Sequence, residues 1–136
     1  MHRPSAREAA EYFHQAARQA VSHSDQELAR HAYRNCIQSW FEATMRQPAL
    51  IEQLRVAEEE FSEFARKDGK YLELIKIVKA YATQYPGIKE SVLTAILDRF
   101  QPDDISYALH FGQKHGEIMQ TTKGEIYELK LPPTPA

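Results

Sequence analysis

The chain of 136 residues has one cysteine, five glycines and no excess of basic residues. Its single thiol, Cys36, has no intramolecular disulfide partner, and a metal site built on several thiolates is excluded. The few glycines form no glycine-rich loop that would cradle a phosphate. No segment approaches the run of about 18 apolar residues that spans a membrane, and the N-terminus has no apolar signal-peptide segment. We therefore expect a cytoplasmic protein that makes no membrane contact.

The charge of the chain restricts its binding partners. The sequence has 17 basic and 19 acidic residues, for a net charge of −2. A bulk polyanion binder carries a basic excess, so contact with nucleic acid would depend on a local patch of cations. Hydrophobic residues make up 43% of the chain and charged residues 26%, which is typical of a globular protein.

Catalytic motifs are missing from the sequence. The six histidines form no HExxH pair, and no GxSxG or P-loop accompanies the serines and lysines. The sequence thus predicts no catalytic residue, no metal, no cofactor and no enzyme activity. Cys36 is expected to be a small buried apolar residue, because it lies in a helical apolar stripe. The run Glu58-Glu59-Glu60 is interpreted as a solvated shoulder of a helix.

Residues 1–69 read as a helical region. Ser5 and Glu8 form a capping box at the start of a first helix, and Ser24 with Glu27 forms a second one. The short connection between these helices predicts an antiparallel hairpin. A third helix follows Pro48 and is expected to stop at Asp68-Gly69.

The end of the second helix carries two adjacent large aromatic residues, Trp40 and Phe41. Neighbouring residues on a helix point in different directions, so both cannot enter one narrow buried stripe. We interpret this pair as a dimerisation surface of the 1–69 region.

Residues 70–131 show helical apolar spacing first and strand-forming segments towards their end. Apolar spacing predicts a helix from Tyr71 to Tyr85, another from Ile88 to Leu97, and a third that starts at Pro102. The β-branched and aromatic segments 117–121 and 125–129 flank the turn Thr122-Lys123-Gly124, which predicts a β-hairpin. Residues 132–136 are proline-rich and are expected to form a loose tail.

Three helices followed by a terminal hairpin resemble the winged helix-turn-helix family. Residues 104–118 look like the recognition helix and its exit, and residues 119–129 look like the wing. The fold is thus expected to be mainly α, with an N-terminal helical hairpin plus a third helix and a C-terminal winged helix. The resemblance implies that one face of the sixth helix and the wing contact DNA. The implied contact residues are Ser106, Tyr107, His110, Gln113, Lys114 and Lys123.

Two functions remain open at this point. The first is a DNA-binding or transcription-associated regulator, acting on double-stranded DNA as a homodimer, to which Lys76, Lys79 and Lys89 would add phosphate contacts. Against it, Asp103 and Asp104 begin the sixth helix and are expected to repel phosphates. The second is a protein–protein interaction module that makes no contact with nucleic acid, because one fold can serve both purposes.

Overall fold

The computed structural model describes residues 4–130, so the predicted tail at 132–136 lies outside the described residues. Within the described range the chain is mainly helical, with six helices and one small antiparallel sheet. It divides into two compact units, Met1–Phe64 and Ala65–Ala136, here called unit 1 and unit 2. Across residues 4–130, no helix is both long and apolar enough to cross a membrane.

Unit 1 consists of helices. They are α1 (Ala6–Ser22), α2 (Gln26–Arg46), a 3-10 turn (Pro48–Leu50) and α3 (Ile51–Ala65), whose last residue belongs to unit 2. Helices α1 and α2 pack against each other along their length, as expected for a hairpin with a short turn.

The start of each hairpin helix is fixed by a side-chain cap. Ser5 Oγ accepts a hydrogen bond from the Glu8 backbone N–H at 3.1 Å, as predicted. At α2 the predicted cap was wrong by one residue, because Asp25 Oδ1 accepts from the Leu28 N–H at 3.1 Å. Ser24 instead takes a left-handed conformation, with φ at 58°, and turns the chain between the helices.

The core of unit 1 combines small and aromatic side chains. Tyr33 stacks on Phe61 with the ring centroids 5.2 Å apart, and Trp40 is only 4% exposed. Buried alanines let the backbones of α1 and α2 approach closely; they are Ala10, Ala17, Ala20, Ala29, Ala32 and Ala43. Cys36 is completely buried among them, which confirms its interpretation as a small apolar residue.

Unit 2 alternates helices and short strands. They are α4 (Gly69–Gln84), β1 (Ile88–Lys89), α5 (Glu90–Ile96), α6 (Pro102–Lys114), β2 (Ile118–Gln120) and β3 (Glu125–Glu128). The predicted hairpin is confirmed, since β2 pairs antiparallel with β3. The helix predicted from Ile88 was wrong at its start, because Ile88 and Lys89 form a strand. Asp68 was also misread as part of a helix stop: its side chain caps α4 by accepting from the Tyr71 N–H at 3.1 Å.

The sheet has the order β1-β3-β2, so β3 lies in the centre. Ile88 is opposite Ile126 and Lys89 is opposite Glu125. Ile118 and Ile126 point from the sheet into the core of unit 2 and are almost completely buried. The helices contribute Tyr71, Leu74, Leu93, Ile105, Leu109 and Phe111 to the same core. The short strand β1 thus joins the hairpin to the segment between α4 and α5.

Candidate functional site

The polar residues predicted on α6 share one exposed face. Ser106, His110, Gln113 and Lys114 are exposed and Tyr107 is half-buried. At roughly 100° per residue, these five positions fall on an arc of about 120°. Among residues 4–130, the large apolar side chains that remain exposed all lie outside α6. The helix therefore presents a continuous polar face that offers hydrogen-bond donors and acceptors to a partner.

The acidic start of α6 differs from the sequence-based expectation. Asp103 is exposed, but Asp104 is only 2% exposed. Lys70 Nζ lies 2.9 Å from Asp104 Oδ2 and compensates its charge. The expectation that both carboxylates repel phosphates was therefore wrong for Asp104, because it is buried and paired with a lysine of α4.

Aromatic contacts fix the orientation of α6. Phe111, on the buried side, makes a T-shaped contact with Tyr71 of α4 at 5.3 Å between centroids. The Phe111 ring also stacks against Tyr107 at 6.1 Å and meets His110 edge-on at 5.5 Å. These contacts restrain two of the predicted site residues, so the polar face is carried by a packed helix.

Gln113 has structural partners in unit 2. Its Nε2 donates to Gln120 Oε1 on β2 at 3.3 Å, and Gln120 Nε2 donates to Glu90 Oε1 at 3.1 Å. This chain of amides links the end of α6, the hairpin and the start of α5. Gln113 can still accept a hydrogen bond from a ligand through its Oε1, whereas its Nε2 already donates to Gln120 and to the Leu109 carbonyl.

The hairpin turn exposes Lys123. Gly124 adopts φ of 82°, which glycine tolerates at no steric cost, and its N–H donates to the Thr121 carbonyl at 2.9 Å. The Thr121 hydroxyl accepts from the Glu125 N–H at 3.2 Å. These bonds close the turn and leave the Lys123 side chain in solvent.

The additional lysines differ in availability. Lys79 Nζ lies 2.6 Å from Glu117 Oε2, and this hydrogen bond raises the pKa of Lys79. Lys89 is exposed on β1 with Glu125 as its cross-strand neighbour. Lys76 is exposed on α4. Lys79 is consequently a weaker candidate for a phosphate contact than the sequence indicated.

The two residues predicted to mediate dimerisation lie in different environments. Trp40 is 4% exposed and belongs to the core of unit 1, together with Cys36 and Ala43. Phe41 is 57% exposed. Of this pair, Phe41 offers the larger surface to a second copy.

Sequence reasoning missed an ion network in unit 1. Glu60 on α3 receives two hydrogen bonds from Arg18 of α1, Nε to Oε1 at 3.0 Å and Nη2 to Oε2 at 2.6 Å. His14 Nε2 also lies 3.0 Å from Glu60 Oε2. Glu60 was expected to be a solvated shoulder residue, and this expectation was wrong because the carboxylate joins α1 to α3.

The electrostatics of this network follow from its hydrogen bonds. The Arg18 hydrogen bonds lower the pKa of Glu60, and the same interaction raises the pKa of Arg18. Burial raises the pKa of Tyr33 to about 12, and the nearby Glu60 charge acts in the same direction. Burial likewise raises the pKa of the Cys36 thiol to about 12, so this cysteine stays protonated and unreactive near neutral pH.

Within the described part of the chain, no three histidine, cysteine, aspartate or glutamate side chains are grouped so that they could hold a metal ion. No protein-family model, curated protein or solved structure matches this chain.

Proposed function

We propose that unit 2 is a winged helix that binds double-stranded DNA and that the protein acts in transcription-associated regulation. In this proposal α6 enters the major groove and the β2–β3 hairpin approaches the backbone beside it. Three helices followed by a hairpin, in this order, support the assignment. The strand β1 adds to that support because it anchors the hairpin to the helices through Ile126.

The observation that carries the proposal is the exposed polar face of α6. Side chains of Ser106, His110 and Gln113 have the donors and acceptors that read base edges, and Lys114 extends from the same arc toward a phosphate. Lys123 at the hairpin turn supplies a second phosphate contact. Neutralisation of Asp104 by Lys70 removes one of the two charges that would oppose such docking.

The cation count favours a homodimer as the binding species. Firm DNA binders neutralise roughly six to ten phosphates, and one copy of unit 2 offers fewer exposed lysines near α6 and the hairpin. Two copies double the contacts and read half-sites about 34–36 Å apart. Phe41 is the residue that we propose at the contact between copies, because it is exposed, large and apolar. Analytical ultracentrifugation of Phe41→Ser should then show a shift from dimer to monomer.

The direct test is a mobility shift with random-sequence duplex at low salt, where electrostatic attraction is strongest. We expect the wild-type chain to bind, and Lys114→Ala/Lys123→Ala to bind more weakly. The slope of log K against log salt should fall by about 2 per subunit, because each lysine releases close to one counterion. Arg46→Ala/Arg55→Ala, which removes two exposed positive charges of unit 1, is the charge-matched control and should leave the slope unchanged. Absence of any shift at low salt contradicts the proposal.

A second pair of variants separates reading of bases from attraction to phosphates. Ser106→Ala/His110→Ala should reduce discrimination among selected sequences and leave the salt slope intact. Asp103→Asn should strengthen binding to every sequence, because it removes an exposed carboxylate from the start of α6. An equal effect of Ser106→Ala/His110→Ala on all sequences would argue against base contacts by α6.

The second candidate function is a protein–protein contact through α5. Val92 and Ile96 are one turn apart on this helix and are 44% and 46% exposed. An apolar pair of this kind is suited to a protein partner and has no use in a phosphate contact. Failure to bind duplex, combined with altered self-association of Val92→Glu/Ile96→Glu, would favour this function over DNA binding.

A further inference from the structure

A groove in unit 1 is walled by α1 and α3 and has Trp40 of α2 among its lining residues. Its volume of about 400 Å³ lies within the range of small-molecule sites. Val56 supplies exposed apolar surface to the groove, to which Trp40, only 4% exposed, adds little. The amides of Gln15 and Gln53 lie on its two walls. The groove thus combines a small apolar surface with polar walls.

Carboxylates dominate the charge available in this groove. Glu11 of α1 and Glu52 of α3 line it from opposite sides. Their ion pairs, with Arg7 at 3.2 Å and Arg55 at 2.9 Å, are exposed to solvent. Exposed pairs of this kind contribute only about 0–1 kcal/mol, so both carboxylates can turn toward a ligand at little cost.

The basic side chains that line the groove are already paired with Glu60. Arg18 lines the groove, but its guanidinium holds both oxygens of Glu60. His14 also lines the groove and lies against the same carboxylate. An anionic ligand would have to break this network to reach Arg18, whereas a cation meets Glu11 and Glu52 without disturbing it.

We propose that this groove binds a small organic cation, an amine or quaternary ammonium compound with an apolar body. The ammonium group would lie between Glu11 and Glu52, and the body would pack on Val56. This inference stands on unit 1 alone and does not depend on DNA binding by unit 2.

The only tryptophan of the chain lies in the proposed site, so its fluorescence reports occupancy directly. We would titrate the full chain with benzyltrimethylammonium, with benzyl alcohol and benzenesulfonate as neutral and anionic probes of similar size. The expected result is a saturable change with the cation and binding at least about tenfold weaker for the other two probes. Calorimetry of the same titrations detects a probe that binds without changing the fluorescence.

A double variant and a control variant test whether the two carboxylates of the groove select for a cation. Glu11→Gln/Glu52→Gln should weaken binding of benzyltrimethylammonium by about tenfold or more, since both carboxylates are lost. Glu42→Gln removes an exposed carboxylate of α2 outside the groove and should leave affinity unchanged. Circular dichroism verifies that the variants keep their helices. The proposal is overturned by no binding in either assay, by equal binding of the three probes, or by unchanged affinity in the double variant.

Discussion

Polar side chains are used differently in the two units. In unit 1, Glu60 on α3 is occupied by Arg18 and His14, so its charge fastens one helix to another. In unit 2, the polar side chains of α6 are largely turned to solvent, and the charge of Asp104 is neutralised below them by Lys70. A charged group that is paired within the fold is less available to a binding partner than a polar group that is exposed on a packed helix. For a charged residue, burial and pairing within the fold therefore indicate its role better than its residue type does.

The largest expected effects test whether the units are stabilised separately. Phe61 is fully buried in unit 1 and Phe111 almost fully buried in unit 2. Phe61→Ala and Phe111→Ala should each lower the free energy of unfolding by about 3–5 kcal/mol. Native-state hydrogen exchange should show the greater loss of amide protection in the unit that carries the substitution. Equal loss in both units for both variants would contradict separate cores.

The next effect concerns Glu60, the carboxylate that joins α1 to α3. Glu60→Gln should destabilise the protein by about 1–3 kcal/mol near neutral pH, because it removes a charged hydrogen-bond acceptor from Arg18. Glu58→Gln, an exposed change on the same helix, should alter stability by less than about 0.5 kcal/mol. Urea denaturation of both variants measures the difference, and equal costs would show that the network contributes nothing.

The sign of the pH dependence follows from the direction of the pKa shift. Hydrogen bonds from Arg18 hold the pKa of folded Glu60 below its ordinary value of 4.5. Its contribution is complete above pH 4.5 and is lost as the pH falls through the lowered folded-state pKa. The stability difference between wild type and Glu60→Gln should therefore shrink in acid.

A pair of glycine substitutions gives an effect of similar size in unit 2. At Gly112 an added Cβ would lie 2.9 Å from Ile118 Cγ1, so Gly112→Ala must displace a buried side chain of β2. We expect a loss of about 1–3 kcal/mol in thermal or urea unfolding. At Gly69 an added Cβ meets nothing within 4 Å. Gly69→Ala should be neutral or stabilising by up to about 1 kcal/mol. A tolerated Gly112→Ala would mean that the α6–β2 contact is loose.

The smallest effect compares two helix caps. Asp68 caps α4 from a buried position, whereas Ser5 caps α1 at the surface. Removing a cap costs about 0.5–2 kcal/mol. We expect Ser5→Ala at the low end and Asp68→Ala at the high end, measured by urea denaturation. The reverse order would show that burial does not strengthen the cap.

Local signals predicted much of the fold. The hairpin of α1 and α2, the polar arc of α6 and the β2–β3 hairpin follow from apolar spacing, caps and a glycine turn within short segments. The strand β1 was missed because its two residues become a strand only by pairing with Glu125 and Ile126, far along the chain. No propensity of Ile88 and Lys89 alone distinguishes a strand from a helix start.

The candidate sites were harder to predict because they join distant helices. Glu60 acquires partners only when α3 meets α1, although its position directly before the buried Phe61 placed it at the edge of the apolar stripe. Asp104 gave a clearer signal that was overlooked. It is four and seven residues before Ala108 and Phe111, so helical periodicity places it on their buried side. The groove of unit 1 has no sequence signature, since its lining comes from three helices.

The buried alanines between α1 and α2 limit which substitutions the hairpin tolerates. At Ala10, Ala17 and Ala29 the helices touch with no exposed side-chain surface left. A larger residue there must push two backbones apart, while the only shorter residue, glycine, weakens the helix itself. A deep mutational scan should find that these positions of α1 and α2 do not tolerate larger residues, while exposed neighbours such as Tyr12 vary freely.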